Sequence, residues 1–227
     1  MRSEFFNAIK QGNLGEAQRL LSVNPGLIHE KDGCLSPIMV AAYHHQADML
    51  DFISEKTGKL NIFESAAAGK INQIALHLAR DPLLVNAYAC DGFQPLGLAC
   101  LFGHYETAEY LIKAGAVVNS PSRNPLNATP IQSAVSAGHI KIVQLLLFHN
   151  ANPNSRENNG LTPLHIAAQN GNTQIIRQLL FNGADMSIRS HQGKIPLELA
   201  MEAGHAEATA LFKEGITRRF RVTLAKN

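Results

Sequence analysis

The sequence predicts an all-α solenoid of about seven stacked helix-turn-helix units, joined by short protruding β-hairpin-like turns. Three observations predict it. Glycines recur at nearly even intervals, at Gly103, Gly138, Gly171 and Gly204. Prolines keep phase with them at Pro95, Pro130, Pro163 and Pro196, always the same short distance earlier. Apolar residues at helical spacing fill the intervals, as in Ile175, Ile176, Leu179 and Leu180. A period of about 33 residues is too long for one helix or strand and fits a supersecondary unit, repeated. A helix pair this short cannot bury its own apolar face, so stacking on neighbours must do so. The hydrophobic content of 45% is ample for that.

The units follow in chain order. Residues 1–88 keep the rhythm loosely and residues 89–216 keep it well, so one array is expected over 1–216. The marks of the first three units are Gly12, His45 and Gly69, and the second step is much shorter than the first. That short step implies that the third unit lacks a full protruding turn. There Lys56-Thr57-Gly58-Lys59 runs almost straight into Leu60-Asn61-Ile62-Phe63. This half also carries a duplication. Phe5 and Phe63, Pro25 and Pro82, and Pro37 and Pro95 are pairs with almost the same separation.

The fourth unit opens at Asp91-Gly92-Phe93-Gln94-Pro95. The extra residues of Ser120-Pro121-Ser122-Arg123-Asn124-Pro125 lengthen the loop before the fifth. In the sixth, Thr162 stands where a helix cap belongs, and Pro163 fits the first helical position, where a missing N–H costs nothing. Gly171 ends that helix at a place where positive φ is cheap. The seventh unit is rich in alanine and charge at Glu202-Ala203-Gly204-His205-Ala206-Glu207, as a terminal cap requires. After Gly215 the register is lost, and residues 217–227 read as a basic tail with Arg218, Arg219 and Arg221.

Thr162-Pro163-Leu164-His165-Ile166-Ala167-Ala168, closing on Gly183-Ala184-Asp185, resembles the signature of the ankyrin-repeat family. Thr129-Pro130-Ile131-Gln132-Ser133-Ala134, with Gly138-His139, and Gly193-Lys194-Ile195-Pro196-Leu197, with Gly204-His205, repeat the pattern. The resemblance spans roughly residues 3–216. It implies structural roles for His104, His139, His165 and His205, which would bond neighbouring turns and loops. It also implies that a protein partner docks on a concave face, made of the turns and the exposed ends of the first helices. Carried over by phase, that face comprises Tyr43, His44, Phe93, Leu101, Phe102, Leu126, Asn159, Leu161, Gln169, Asn170, His191 and Lys194. The row is apolar and aromatic around the middle and polar toward the C-terminus. Aromatic anchors concentrate binding energy, so the expected hot spot lies at the second to fourth units, around Phe93, Leu101 and Phe102; the alternative is that irregular stacking of the N-terminal units buries Leu101 and Phe102.

Composition and motif content narrow the chemistry. A formal net charge of +2 gives no global field for nucleic acid or an anionic membrane. No window is long and apolar enough for a membrane span, and the N-terminus lacks the apolar region of a signal peptide. A cytoplasmic location is therefore expected, with delivery into another cell left open. No phosphate-binding glycine loop or nucleophile elbow occurs. No two histidines stand at i and i+4, so no metal site is expected, nor any cofactor. Cys34, Cys90 and Cys100 read as free thiols in a reducing compartment; Cys34 and Cys90 each adjoin an Asp-Gly turn. The leading function is a non-catalytic interaction scaffold for a protein partner. The alternatives are an enzyme or small-molecule binder on the same scaffold, and nucleic-acid binding through the tail. A monomer is expected, with self-association through an array end left open.

Overall fold

The computed structural model describes residues 1–214; the predicted tail, with Arg218, Arg219 and Arg221, lies outside them. Among the described residues every regular element is helical, and the chain falls into two compact units that meet at Val117 and Val118.

The first unit holds four helix pairs. These are α1 (Arg2–Gln11) with α2 (Leu14–Val23), α3 (Pro37–Tyr43) with α4 (Ala47–Thr57), α5 (Ile62–Ala67) with α6 (Ile71–Arg80), and α7 (Pro95–Phe102) with α8 (Tyr105–Lys113). The duplication read from the sequence appears as a repeated element order. A 3₁₀ turn follows α2 at Pro25–His29, and another follows α6 at Pro82–Asn86. Phe5, Ile9, Leu20, Ile38, Met49 and Ile53 form the buried core of the first two pairs.

The second unit holds α9 (Pro130–Ser136) with α10 (Ile140–Phe148), α11 (Pro163–Gln169) with α12 (Thr173–Phe181), and α13 (Pro196–Glu202) with a last helix α14 over 206–214. Ile131, Leu146, Leu164, Ile175, Leu179 and Phe212 are buried there.

The punctuation works as physical chemistry demands. Pro37, Pro95, Pro130, Pro163 and Pro196 all occupy the first turn of a helix, where no backbone donor is lost. Each first helix ends in a left-handed residue: Gly12, His45, Gly69, Gly103, Gly138, Gly171 and Gly204. Seven such marks count seven helix pairs. Only His45 departs from glycine; its φ of 54° costs a side-chain-bearing residue about 1 kcal/mol.

In three places the residue after the mark ties one pair to the one before. His104 Nε2 donates to Ala67 O at 2.8 Å, and His205 Nε2 donates to Gln169 O at 3.0 Å. Gln46 Nε2 donates to Lys10 O at 3.3 Å in the same way. These two histidines are structural ties, as the repeat pattern implied.

Candidate functional site

In the first unit the third helix pair shapes its surroundings by what it lacks. Only Gly58, Lys59, Leu60 and Asn61 separate α4 from α5. Asn61 starts α5 without a protruding turn: its side chain accepts from the N–H groups of Phe63 and Glu64, while Glu64 accepts from Asn61 N–H. Helix α5 packs against both α3 and α7 and ends in Ala67, followed by Ala68 at its cap, both buried. Alanines at that place leave room for larger side chains from either side. Tyr43 at the end of α3 and Phe102 at the end of α7 meet edge to face, with ring centres 5.2 Å apart.

Asp91 fixes this pair from the fourth turn. Tyr43 Oη donates to Asp91 Oδ2 at 2.7 Å, and Asp91 Oδ1 accepts from Phe93 N–H at 3.1 Å. Burial, then the adjacent Asp91 carboxylate, push the Tyr43 phenol far above its ordinary range. The phenol therefore stays a donor at any physiological pH. The result is an aromatic patch with one locked hydroxyl: Tyr43, Leu101 and Phe102 are half-buried, and His44 beside them is exposed.

In the second unit the turns carry the polar row. Neighbouring turn tips are laced by backbone bonds: Asn158 N–H to Leu126 O at 2.9 Å, and His191 N–H to Asn159 O at 3.0 Å. Leu126, Asn159, Gln169, Asn170 and His191 are exposed, while Leu161 and Lys194 are partly covered. Some of the polar groups are already engaged within the fold. Asn170 Nδ2 donates to Ser136 O at 3.2 Å, and Lys194 Nζ pairs with Glu202 at 2.6 Å.

Two expectations are corrected. Phe93 is buried, at 9% exposure, and is no surface anchor. It packs over Gly97, where a Cβ would stand 3.2 Å from the Phe93 ring; a glycine in the first turn of α7 opens the space that the ring fills. Cys34 and Cys90 are not free thiols: they form a disulfide, with Cα atoms 6.1 Å apart and a sequence separation of 56. Cys100 alone remains free, and it is buried. The cysteines' matched Asp-Gly settings and the short step from His45 to Gly69 were both legible, but pairing needs distance, which neither supplies. The role of Asp91 as the lock on Tyr43 also escaped sequence reasoning.

Cys34 and Cys90 also line a recess of about 180 Å³, with Lys31, Ser36, Asn61, Glu64 and Asp91 among its other walls. Among the described residues no group of three or more His, Cys, Asp or Glu side chains gathers as a metal cage. No described helix is long and apolar enough to cross a membrane.

The family pattern described as "Ankyrin repeats (3 copies)" matches residues 5–122, 64–157 and 131–218. The chain is 42% identical over 65 residues to the ankyrin repeat and KH domain-containing protein mask of Drosophila melanogaster, covering 29% of this chain and 2% of that protein. It is 32% identical over 134 residues to a transient receptor potential cation channel subfamily A member 1 homolog of Caenorhabditis elegans, covering 58% of this chain and 10% of that one. It thus spans a small fraction of either relative.

Proposed function

The chain belongs to the ankyrin-repeat family, whose repeats are generally protein-interaction modules, and we propose that it is a non-catalytic scaffold that takes a protein partner on the concave face of its repeats. The observation that carries this is the Tyr43–Phe102 pair, half-exposed yet held by Asp91. A surface fixed in advance loses little freedom on binding, so more of the contact energy appears as affinity. Aromatic side chains at the centre of such a surface are the commonest anchors. Leu101 extends the patch, and His44 supplies a polar rim.

A tagged pull-down from the native lysate tests the reading, with wild type beside a Leu101→Ala, Phe102→Ala double variant and circular dichroism confirming that the variant folds. A protein captured by wild type should lose at least about 2 kcal/mol of binding to the double variant, as truncated anchors do. Undiminished capture by a folded variant refutes the placement of the site. The binding surface would then be sought among Leu126, Asn159, Leu161, Gln169, Asn170, His191 and Lys194.

A further inference from the structure

We propose that Cys34 and Cys90 form a reversible redox clasp, closed by exchange with a small-molecule disulfide of the glutathione class and opened by the corresponding thiol. Neighbouring helices pack about 8–10 Å apart, so turns two pairs apart would ordinarily stand at about twice that spacing. The second and fourth turns instead bring their cysteine Cα atoms to 6.1 Å. The third pair has no protruding turn to stand between them, since α5 begins directly at its Asn61 cap. In the second unit adjacent turn tips are joined by backbone hydrogen bonds from Asn158 to Leu126 and from His191 to Asn159. Here a sulfur–sulfur bond joins two turns that are not adjacent in the repeat.

Three features favour exchange over a permanent staple. Both cysteines lie on exposed turns, within reach of a small thiol. The surrounding elements have other ties besides the bond, in the packing of α5 against α3 and α7 and in the Tyr43–Asp91 hydrogen bond. The remaining thiol, Cys100, is fully buried in α7 and cannot compete for exchange.

Closing proceeds in two steps. One cysteine thiolate attacks a sulfur of the small disulfide, forming a mixed disulfide and releasing one small thiolate. The other cysteine thiolate attacks the protein sulfur of that mixed disulfide and releases the second. The two protons given up by the cysteines end on the two released thiolates, so two protein thiols and one small disulfide become one protein disulfide and two small thiols. Closing ties the 89–93 turn, and Asp91 within it, to the 32–35 turn.

The full chain equilibrated at a series of reduced-to-oxidised glutathione ratios tests this, with native-state maleimide labelling read by mass spectrometry and amide hydrogen exchange read over both units. Labelling should pass from two thiols to none as the ratio falls, with unchanged circular dichroism. Exchange at Ala89 and Gly92 amides should slow several-fold on closing, while the 190–194 turn does not respond. Cys34→Ser and Cys90→Ser should each keep fast exchange at every ratio. Two labels at every ratio, stable glutathione adducts in place of the internal bond, or disulfide-linked dimers overturn the proposal. So do a bond that no ratio opens and a fold lost on reduction, since either makes the bond a structural staple.

Discussion

His165 is a closely held titratable group of the second unit. It is fully buried, and its two ring nitrogens have opposite duties. Nδ1 accepts from Thr162 N–H at 3.1 Å and from Thr162 Oγ1–H at 2.8 Å, so the proton sits on Nε2, which donates to Lys194 O at 3.0 Å. Thr162 thus takes the cap position, with its hydroxyl directed to the ring. Protonating Nδ1 would turn the acceptor into a donor facing donors and would bury a charge. Burial first, and then the charge of Arg156, hold the imidazole pKa below its ordinary value, against the opposing pull of the Lys194 and Ile188 backbone groups.

The sign of the pH effect follows. A depressed folded pKa means that the unfolded chain binds the proton more readily. The contribution of His165 to stability is present above its unfolded pKa and is lost as pH falls toward the folded value. Below about pH 6.5 the wild type should lose up to about 1.4 kcal/mol per pH unit from this one group.

One repeat earlier, Gln132 does the same work without titrating. Its Oε1 accepts from Thr129 N–H and its Nε2 donates to Leu161 O, both at 2.9 Å. His165→Gln should therefore stay within about 1 kcal/mol of wild type near neutral pH, where the hydrogen bonds can be remade. His165→Ala should cost about 4 kcal/mol, because it leaves Thr162 N–H and Lys194 O unpaired as well as a cavity. Urea unfolding followed by circular dichroism, from about pH 7.5 to about pH 5.5, should show a wild-type loss of stability that the glutamine variant lacks, since that window brackets the unfolded histidine pKa. Equal damage from Gln and Ala would refute the hydrogen-bond assignment. An undiminished pH dependence in His165→Gln would refute the titration.

Two further predictions concern the repeat punctuation. Gly171→Ala should destabilise the second unit by about 2 kcal/mol in a denaturant melt, since φ is +67° and the added Cβ would lie 2.6 Å from the His205 ring. A neutral result would mean that the His205 ring swings away at no cost. Asn61→Ala removes the cap that starts α5 without a turn and should cost about 1 kcal/mol in thermal or urea unfolding; no loss would place the helix start under control of packing alone.

Local chemistry carried much of the fold into the sequence. Prolines at first helical turns, glycines in left-handed ends and apolar residues at helical spacing each act on their own few residues, so they can be read without knowing what lies across from them. The shortened third unit was legible for the same reason, as the short step from His45 to Gly69. The candidate site was legible only by phase. Position along a repeat indicates which face a side chain occupies, but not its cover. Phe93 fell on the right turn and was buried by a glycine that made room for it. Tyr43 and Asp91, far apart in the chain, became a locked pair only across the folded stack. Cys34 and Cys90 became a bond through a 6.1 Å approach of Cα atoms that stand 56 residues apart in the chain. Backbone propensity is a property of neighbours in the chain, and the sequence by itself determined what depends on it. Burial, pairing and crosslinking depend on distances across the stack, and only the tertiary structure sets those.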